Sequence, residues 1–356
     1  MKRSALIVTV LLAANAVVRA AQPDEFIAAY TKQHDFSGSI LIEKQGKRRF
    51  AASYGLADIP FQIPNRAGTR YKIASVTKLF TAVLILQLRE QGKIDLDQPI
   101  RTYLPDYAGR AADKVSIHQL LSHTSGLPNF DQVADAATAL RDGLPTYQKP
   151  YTSDQLVAKF CSGDLVHAPG TVFDYNNADY ILLGKIIERL SGTSYERAVQ
   201  QRIFDPLRMK DSGMLHQSDL VAGLAPTYFY RDDLKALSPD LPVYPENWYA
   251  AGALYSTTDD LMRFSDALFG LKLISQDSLD LLTKPGLDDY GYGVWSYDTT
   301  MNGKKHTVLK RPGRIMGAQA QLFHVFDPDV TIVLLANTGT TDLDEFVAEI
   351  ARRTVD

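Results

Sequence analysis

Cysteine is nearly absent from this sequence, which has Cys161 as its single one among 356 residues. An intrachain disulfide is therefore excluded. Residues 154–161 have the apolar spacing of an amphipathic helix, so we expect Cys161 to be a small buried side chain and not a nucleophile. The 7 histidines are scattered, with no His-Glu-x-x-His motif and no Cys/His cluster. We therefore expect no metal site and no cofactor.

An excess of charge of one sign is also missing. The chain has 38 Lys and Arg against 41 Asp and Glu, a formal charge of −3. This balance does not indicate binding to nucleic acid or to an anionic membrane surface. Internal repeats, low-complexity linkers and apolar runs long enough to span a membrane are lacking as well. The composition predicts one soluble, enzyme-sized unit that acts on a small molecule or a peptide, and we expect a monomer.

The first 20 residues have the pattern of a secretory signal. A basic Met-Lys-Arg start precedes an apolar core of residues 5–18, and small residues follow it. We expect cleavage after Ala20, with Ala21 as the second choice. The mature chain, residues 21–356, is then a secreted or periplasmic domain.

Strand patterns occur at both ends of the chain and helical patterns in the middle. Strands are predicted at 36–44, 48–55, 292–297, 307–310, 318–326 and 331–336. Helices are predicted at 23–35, 116–121, 177–190, 259–269 and 342–353. The sequence therefore predicts an α/β (α+β) fold, in which helices flank an antiparallel sheet built from both termini. A mostly helical subdomain, roughly residues 75–245, is inserted into it.

A chemical signal lies in residues 73–78, at the start of a continuous apolar run. Ser75 and Lys78 are three residues apart, which places them one turn apart on the same face of a helix. A serine in the first turn lies near free backbone N–H groups and the positive end of the helix dipole. A partly desolvated lysine has a lowered pKa and can take the serine's proton. The pair is typical of an acyl-transfer nucleophile, and the alternative is a capping serine beside a lysine that extends to solvent.

Four ordered segments decide between these interpretations. They resemble landmarks of the serine β-lactamase and penicillin-binding-protein superfamily, and they are residues 73–78, 118–128, 170–184 and 250–257. They are most similar to the branch that contains class C β-lactamases, D-alanyl-D-alanine carboxypeptidases and related esterases. The resemblance covers almost the whole mature chain.

The resemblance implies roles for two further residues. Tyr175 would pass protons to the leaving group, because a phenol beside a lysine ammonium has a lowered pKa. Its alternative is a core tyrosine bound to a backbone carbonyl. Asn177 would hold Lys78 and bind a substrate amide, although its position also suits a helix N-cap.

The family's third motif, Lys-Thr-Gly or His-Thr/Ser-Gly, is replaced here by Arg-Pro-Gly-Arg at 311–314. Arg311 would fork a substrate carboxylate, and its alternative is a surface cation. Gly313 would let the substrate backbone approach closely. The N–H of Arg314 would complete the oxyanion hole with that of Ser75. The segment 306–307, His-Thr, is a weaker candidate for this motif because no glycine follows it.

These expectations define an exported serine hydrolase that forms an acyl-enzyme on Ser75. The first expected substrate is a D-alanyl peptide, such as one derived from peptidoglycan, as for a D,D-carboxypeptidase. A small-acyl esterase or a weak β-lactamase is the next alternative. Loss of the third motif's hydroxyl at Pro312 weakens the β-lactamase assignment. The alternative of a different class is a catalytically idle protein that binds peptides or muropeptides. Aromatic residues between 228 and 249 would line an acyl pocket or pack under a long loop.

Overall fold

The computed structural model describes residues 23–133 and 135–356, so the predicted signal segment 1–20 lies outside the described residues. The strands are β1 Gly38–Lys44, β2 Lys47–Tyr54, β3 Leu56–Asp58, β4 Ile63–Pro64, β5 Tyr71–Lys72, β6 Gly213–Met214, β7 Tyr228–Arg231, β8 Ala236–Pro239, β9 Leu254–Ser256, β10 Trp295–Met301, β11 Lys304–Ile315, β12 Ala318–Val325 and β13 Val330–Ala336. The helices are α1 Pro23–Gln33, α2 Thr77–Glu90, α3 Ile100–Tyr103, α4 Ile117–Leu121, α5 Ala136–Asp142, α6 Ser153–Phe160, α7 Asn177–Ser191, α8 Tyr195–Val199, α9 Asp205–Leu207, α10 Tyr249–Gly252, α11 Thr258–Phe269, α12 Gln276–Thr283 and α13 Leu343–Thr354. Short 3-10 turns occupy Ala74–Val76, Pro245–Trp248 and Leu287–Asp289, and a π-helical turn occupies Gln200–Phe204.

The main sheet has six strands in the order β10-β11-β12-β13-β1-β2. Every neighbouring pair in it is antiparallel. Strand β1 from the N-terminal part pairs with β13 from the C-terminal part, with Gly38 opposite Ala336. The predicted antiparallel sheet built from both ends of the chain is therefore confirmed. Strand β11 continues to Ile315, beyond the predicted end at residue 310.

The two faces of this sheet carry two separate apolar cores, because side chains alternate along a strand with a period of two. On β1, Ile40 and Ile42 pack in the core that includes Phe346 of α13. Leu41, between them, belongs to the other core, which contains α2, α7 and α11. Helices therefore flank both faces of the sheet. The turn that contains Ser75 lies between this sheet and helix α2 of the larger core.

Helix α2 lies at the centre of the larger core. Its residues from Thr77 to Leu86 are all buried, which the continuous apolar run predicts. Helix α7 packs against α2 and ends at Gly192, which adopts the left-handed conformation with φ of 70°. Cys161 follows the end of α6 and is completely buried, as expected of a small apolar side chain.

Within the part of the chain that the structure describes, every helix is too short or too polar to traverse a lipid bilayer.

Candidate active site

Ser75 lies in the 3-10 turn that joins β5 to α2. The preceding residue, Ala74, has φ of 47°, a left-handed conformation that a residue with a Cβ rarely adopts. The hydroxyl of Thr77 donates to the carbonyl oxygen of Ala74 at 2.7 Å and so ties the turn to the first residue of the helix. The turn presents the half-buried Ser75 side chain at the edge of a cavity.

Lys78 is completely buried one turn further on. Its Nζ donates to the hydroxyl of Ser75 at 3.1 Å, to Oδ1 of Asn177 at 2.6 Å and to the carbonyl oxygen of Ala251 at 2.9 Å. Burial lowers the pKa of Lys78, and the charge of Arg311 lowers it further, against the opposing effect of Tyr175. A lysine with a lowered pKa within hydrogen-bond distance of a serine has the geometry of a base for that serine.

Arg311 occupies a different place from the one that the sequence suggests. Its side chain is 1% exposed, so the surface-cation interpretation is wrong. The Nη2 atom donates to the phenol of Tyr175 at 2.7 Å, and Nη1 donates to the phenol of Tyr290 at 3.0 Å and to the carbonyl oxygen of Gly293 at 3.1 Å. The expectation that this guanidinium reaches out for a substrate carboxylate is therefore corrected. Its hydrogen bonds are made to the protein's own side chains and backbone, beneath the cleft.

Tyr175 lies between two cations. Arg311 bonds to its oxygen, and Nζ of Lys78 lies 4.8 Å from the centre of its ring. Burial opposes ionisation of this phenol, but the charges of Arg311 and Lys78 outweigh it and lower the pKa of Tyr175 to about 8. The ring stacks on Trp295, with ring centres 5.8 Å apart and planes inclined by 19°. These contacts fix the ring, and the two cations make its oxygen able to exchange a proton near neutral pH.

Asn177 is the first residue of α7 and connects two charged groups. Its Oδ1 accepts from Lys78, and its Nδ2 donates to Oδ2 of Asp131 at 2.6 Å. The N-cap of this helix is Asn176, whose side chain accepts from the backbone N–H of Asp179 at 3.1 Å. The N-cap interpretation of Asn177 is therefore wrong by one residue. The amide of Asn177 is left to orient the lysine.

The backbone of β11 passes directly over the turn that carries Ser75. A Cβ added at Gly313 would lie against the carbonyl oxygen of Ile73 and 3.1 Å from the backbone nitrogen of Ser75. The close approach that requires glycine at position 313 is therefore between strand β11 and the turn that carries Ser75. Pairing of β11 with β10 ends at Lys310, so residues 311–315 are paired along one edge, with β12. The resemblance implies that the N–H of Arg314 helps to form the oxyanion hole, and this role remains a prediction.

A cavity of about 530 Å³ opens beside Ser75. Charged and polar groups in its wall come from Asn177, Arg314, Asp131 and Asp135. Much of the rest is apolar or aromatic, from Leu140, Leu144, Phe229, Tyr230, Trp248, Ile315 and Met316. Part of the predicted aromatic wall is therefore present, since Tyr230 and Trp248 line the cavity while Tyr228 and Tyr249 do not. His306, the weaker candidate for the third motif, donates from Nδ1 to the carbonyl oxygen of Asp327 and does not line this cavity.

Two residues in the site carry no sequence signal that identifies them. Asp131 lies in an irregular loop, where an acidic residue is ordinarily a solvated side chain. Tyr290 is one of 18 tyrosines and lies outside every matched segment. Its role at Arg311 depends on the packing of the 3-10 turn before β10. Among residues 23–133 and 135–356, no group of three or more His, Cys, Asp or Glu side chains has an arrangement that could hold a metal ion.

The fold has counterparts among known proteins. A penicillin binding protein from Bacillus halodurans has a structure with a TM-score of 0.78 and 30% identity, covering 91% of this chain and 98% of that one. The D-amino acid amidase from Ochrobactrum anthropi SV3 has a TM-score of 0.76 at 23% identity, covering 93% and 97%, a likeness of fold. The teichoic acid D-alanine hydrolase of Staphylococcus aureus is 28% identical over 316 residues, 87% of this chain and 72% of that protein.

The family model described as Beta-lactamase matches residues 23–355. The chain belongs to the Beta-lactamase family, within the serine β-lactamase and penicillin-binding-protein superfamily that the four sequence segments predict. Like the homologues of this fold, it is a hydrolase.

Proposed function

We propose that this protein hydrolyses D-alanyl esters or amides through an acyl-enzyme on Ser75, and that it acts outside the cytoplasm. The observation that carries the proposal is the hydrogen bond of 3.1 Å between Nζ of Lys78 and the Ser75 hydroxyl, in a buried site that also contains the ionisable Tyr175. Export is supported by the signal pattern in residues 1–20 alone.

The residues suggest a two-stage reaction. Lys78 takes the proton of Ser75 as the serine oxygen attacks the substrate carbonyl, and the backbone N–H groups of Ser75 and Arg314 hold the resulting oxyanion. The proton passes through Tyr175 to the leaving alcohol or amine as its bond to the carbonyl breaks. Water then attacks the acyl-serine, the same groups remove its proton, and Ser75 regains a proton as the acid departs.

Support for the acyl group comes from the teichoic acid D-alanine hydrolase, to which this chain is 28% identical. A D,D-carboxypeptidase is supported less well than the sequence suggests, because that expectation relied on Arg311 to bind the terminal carboxylate. The buried Arg311 is instead engaged with Tyr175 and Tyr290. An ester or amide without a terminal carboxylate therefore fits the site better.

The test uses the mature chain with D-alanine methyl ester, a D-Ala-D-Ala peptide, a p-nitrophenyl ester and a chromogenic cephalosporin. We expect turnover of the D-alanyl ester and covalent labelling of Ser75 by a fluorophosphonate, located by peptide mass mapping. The variant Ser75→Ala should lose both, and Ser53→Ala, outside the cavity, serves as the matched control. Persistent labelling of Ser75→Ala, or no turnover of any substrate, would overturn the proposal. Substrate binding without turnover or acylation would favour the idle binding protein.

A further inference from the structure

We infer that Asp131 binds the free α-ammonium group of the substrate, so that the enzyme prefers aminoacyl esters or amides over their N-acylated counterparts. This inference rests on the proposed function and names the substrate class of the same site. It depends on the position of Asp131, on its hydrogen bonds and on the chemistry of an acyl group attached to Ser75.

Asp131 lies in the wall of the cavity that also includes Ser75 and Asn177. Its carboxylate is half-buried and connects to the nucleophile through a chain of hydrogen bonds, in which Asn177 bonds to both Lys78 and Asp131. The substrate's ammonium is two bonds from the carbonyl carbon that Ser75 attacks, about 2.5 Å away. Ser75 and Asp131 line the same cavity, so an ammonium on the carbon next to that carbonyl shares the cavity with the carboxylate of Asp131.

The carboxylate of Asp131 has one oxygen engaged and one available. The amide of Asn177 and the phenol of Tyr147 both donate to Oδ2. Among the hydrogen bonds and ion pairs of the described residues, none reaches Oδ1 of Asp131. The donors to Oδ2 hold the carboxylate in place, and Oδ1 of this cavity-lining residue remains as an acceptor. An ammonium is the complementary donor, and a bond between two charged groups is stronger than a neutral one.

The other charged residues of the cavity also favour an ammonium group near Asp131. Asp135 adds a second carboxylate to the same wall, and the cation Arg314 lines the cavity from strand β11. A substrate whose acyl end is cationic is therefore drawn towards the loop with Asp131 and Asp135, with its leaving group towards β11. A neutral N-acetyl group offers no charge to Asp131 and adds bulk at that point.

The measurement compares kcat/KM for D-alanine methyl ester and N-acetyl-D-alanine methyl ester at about pH 6.5, where an α-amino group is protonated. We expect the free-ammonium ester to be preferred by about 10- to 100-fold, the range for a hydrogen bond to a charged group. The variant Asp131→Asn should reduce this preference to within a fewfold, whatever it does to the absolute rates. Tyr147→Phe, which removes one donor and keeps the carboxylate, should retain it.

Asp135→Asn is the matched control. It removes a carboxylate from the same cavity wall, and asparagine can still accept the capping bond that Asp135 receives from the backbone N–H of Thr138. We expect this variant to keep most of the preference for the ammonium.

The outcomes separate the two proposals. Turnover of both esters at equal rates, or an equal loss for both in Asp131→Asn, would overturn the ammonium site while leaving the Ser75 hydrolase intact. In the second case Asp131 acts only by orienting Asn177. Absence of turnover together with unlabelled Ser75 would overturn both proposals.

Discussion

The guanidinium of Arg311 donates to the phenol oxygen of Tyr175 at 2.7 Å, with Arg311 buried and Tyr175 half-buried. A positive charge at this distance favours the phenolate over the phenol. The arginine of the altered third motif therefore acts on the proton-transfer group, and Tyr290 and the carbonyl oxygen of Gly293 hold its other nitrogen in place.

Loss of the charge at Arg311 should affect all substrates alike. In Arg311→Met the pKa of Tyr175 rises from about 8 towards or above its ordinary value of 10. The phenolate fraction at neutral pH then falls by about 100-fold, and kcat/KM should fall with it. We expect the loss to be the same for a neutral ester and for a D-Ala-D-Ala peptide, and Arg311→Lys to restore part of it. A loss confined to the peptide would mean that Arg311 binds the substrate carboxylate after all.

The pH dependence of the wild-type enzyme gives a second test. The reaction requires the Lys78–Tyr175 pair to have lost a proton before it accepts that of Ser75. Activity should therefore be low in acid and rise as the pH rises through about 8, the pKa of Tyr175. The variant Arg311→Met should move this rise to higher pH. A profile of kcat/KM that is flat between pH 6 and 9 in wild type would exclude this pair as the titrating group.

Removal of the lysine tests the base directly. Lys78→Ala should reduce the rate of acylation by about 10²–10⁴-fold, the usual contribution of a positioned acid or base, while substrate binding remains. The readout is the rate of covalent labelling of Ser75, followed by intact mass. Near-normal labelling in this variant would transfer the role of base to Tyr175.

The sequence predicts the sheet and the proximity of Ser75 and Lys78 well because their signals are local. The short apolar runs of β1 and β13 and the spacing of Ser75 and Lys78 are set within single elements. The role of Arg311 is not local, since a buried cation and a surface cation look the same in a strand sequence. Asp131 is hidden for a similar reason, because the hydrogen bond to Asn177 joins residues 46 positions apart. Long-range packing determines the burial of Arg311 and the position of Asp131.

A side chain at residue 313 should disturb the nucleophile. In Gly313→Ala the new methyl group meets the backbone of Ile73 and Ser75, so the turn or the strand must shift. A displacement of about 1 Å at a reacting group typically costs about 100-fold in rate, and we expect kcat/KM to fall by that order. Gly163→Ala is the control, because its methyl group meets only the ring of Pro128. Equal activity of both variants would show that β11 does not constrain Ser75.

The last prediction concerns the amide that joins Lys78 to Asp131. In Asn177→Asp a carboxylate replaces an amide whose Oδ1 lies 2.6 Å from Nζ of Lys78 and whose Nδ2 lies 2.6 Å from Oδ2 of Asp131. The added negative charge favours the charged form of the lysine, so the pKa of Lys78 should rise and the amine should be available as a base only at higher pH. The acidic limb of kcat/KM should move to higher pH than in wild type, with a loss of about tenfold or more at pH 7. The same variant sets two carboxylates side by side, and the double variant Asn177→Asp with Asp131→Asn removes that repulsion while keeping the charge beside Lys78. The double variant should therefore recover stability, measured as Tm, without recovering the wild-type pH profile. A profile of Asn177→Asp that coincides with that of wild type would show that Lys78 is not the group whose proton loss limits the reaction.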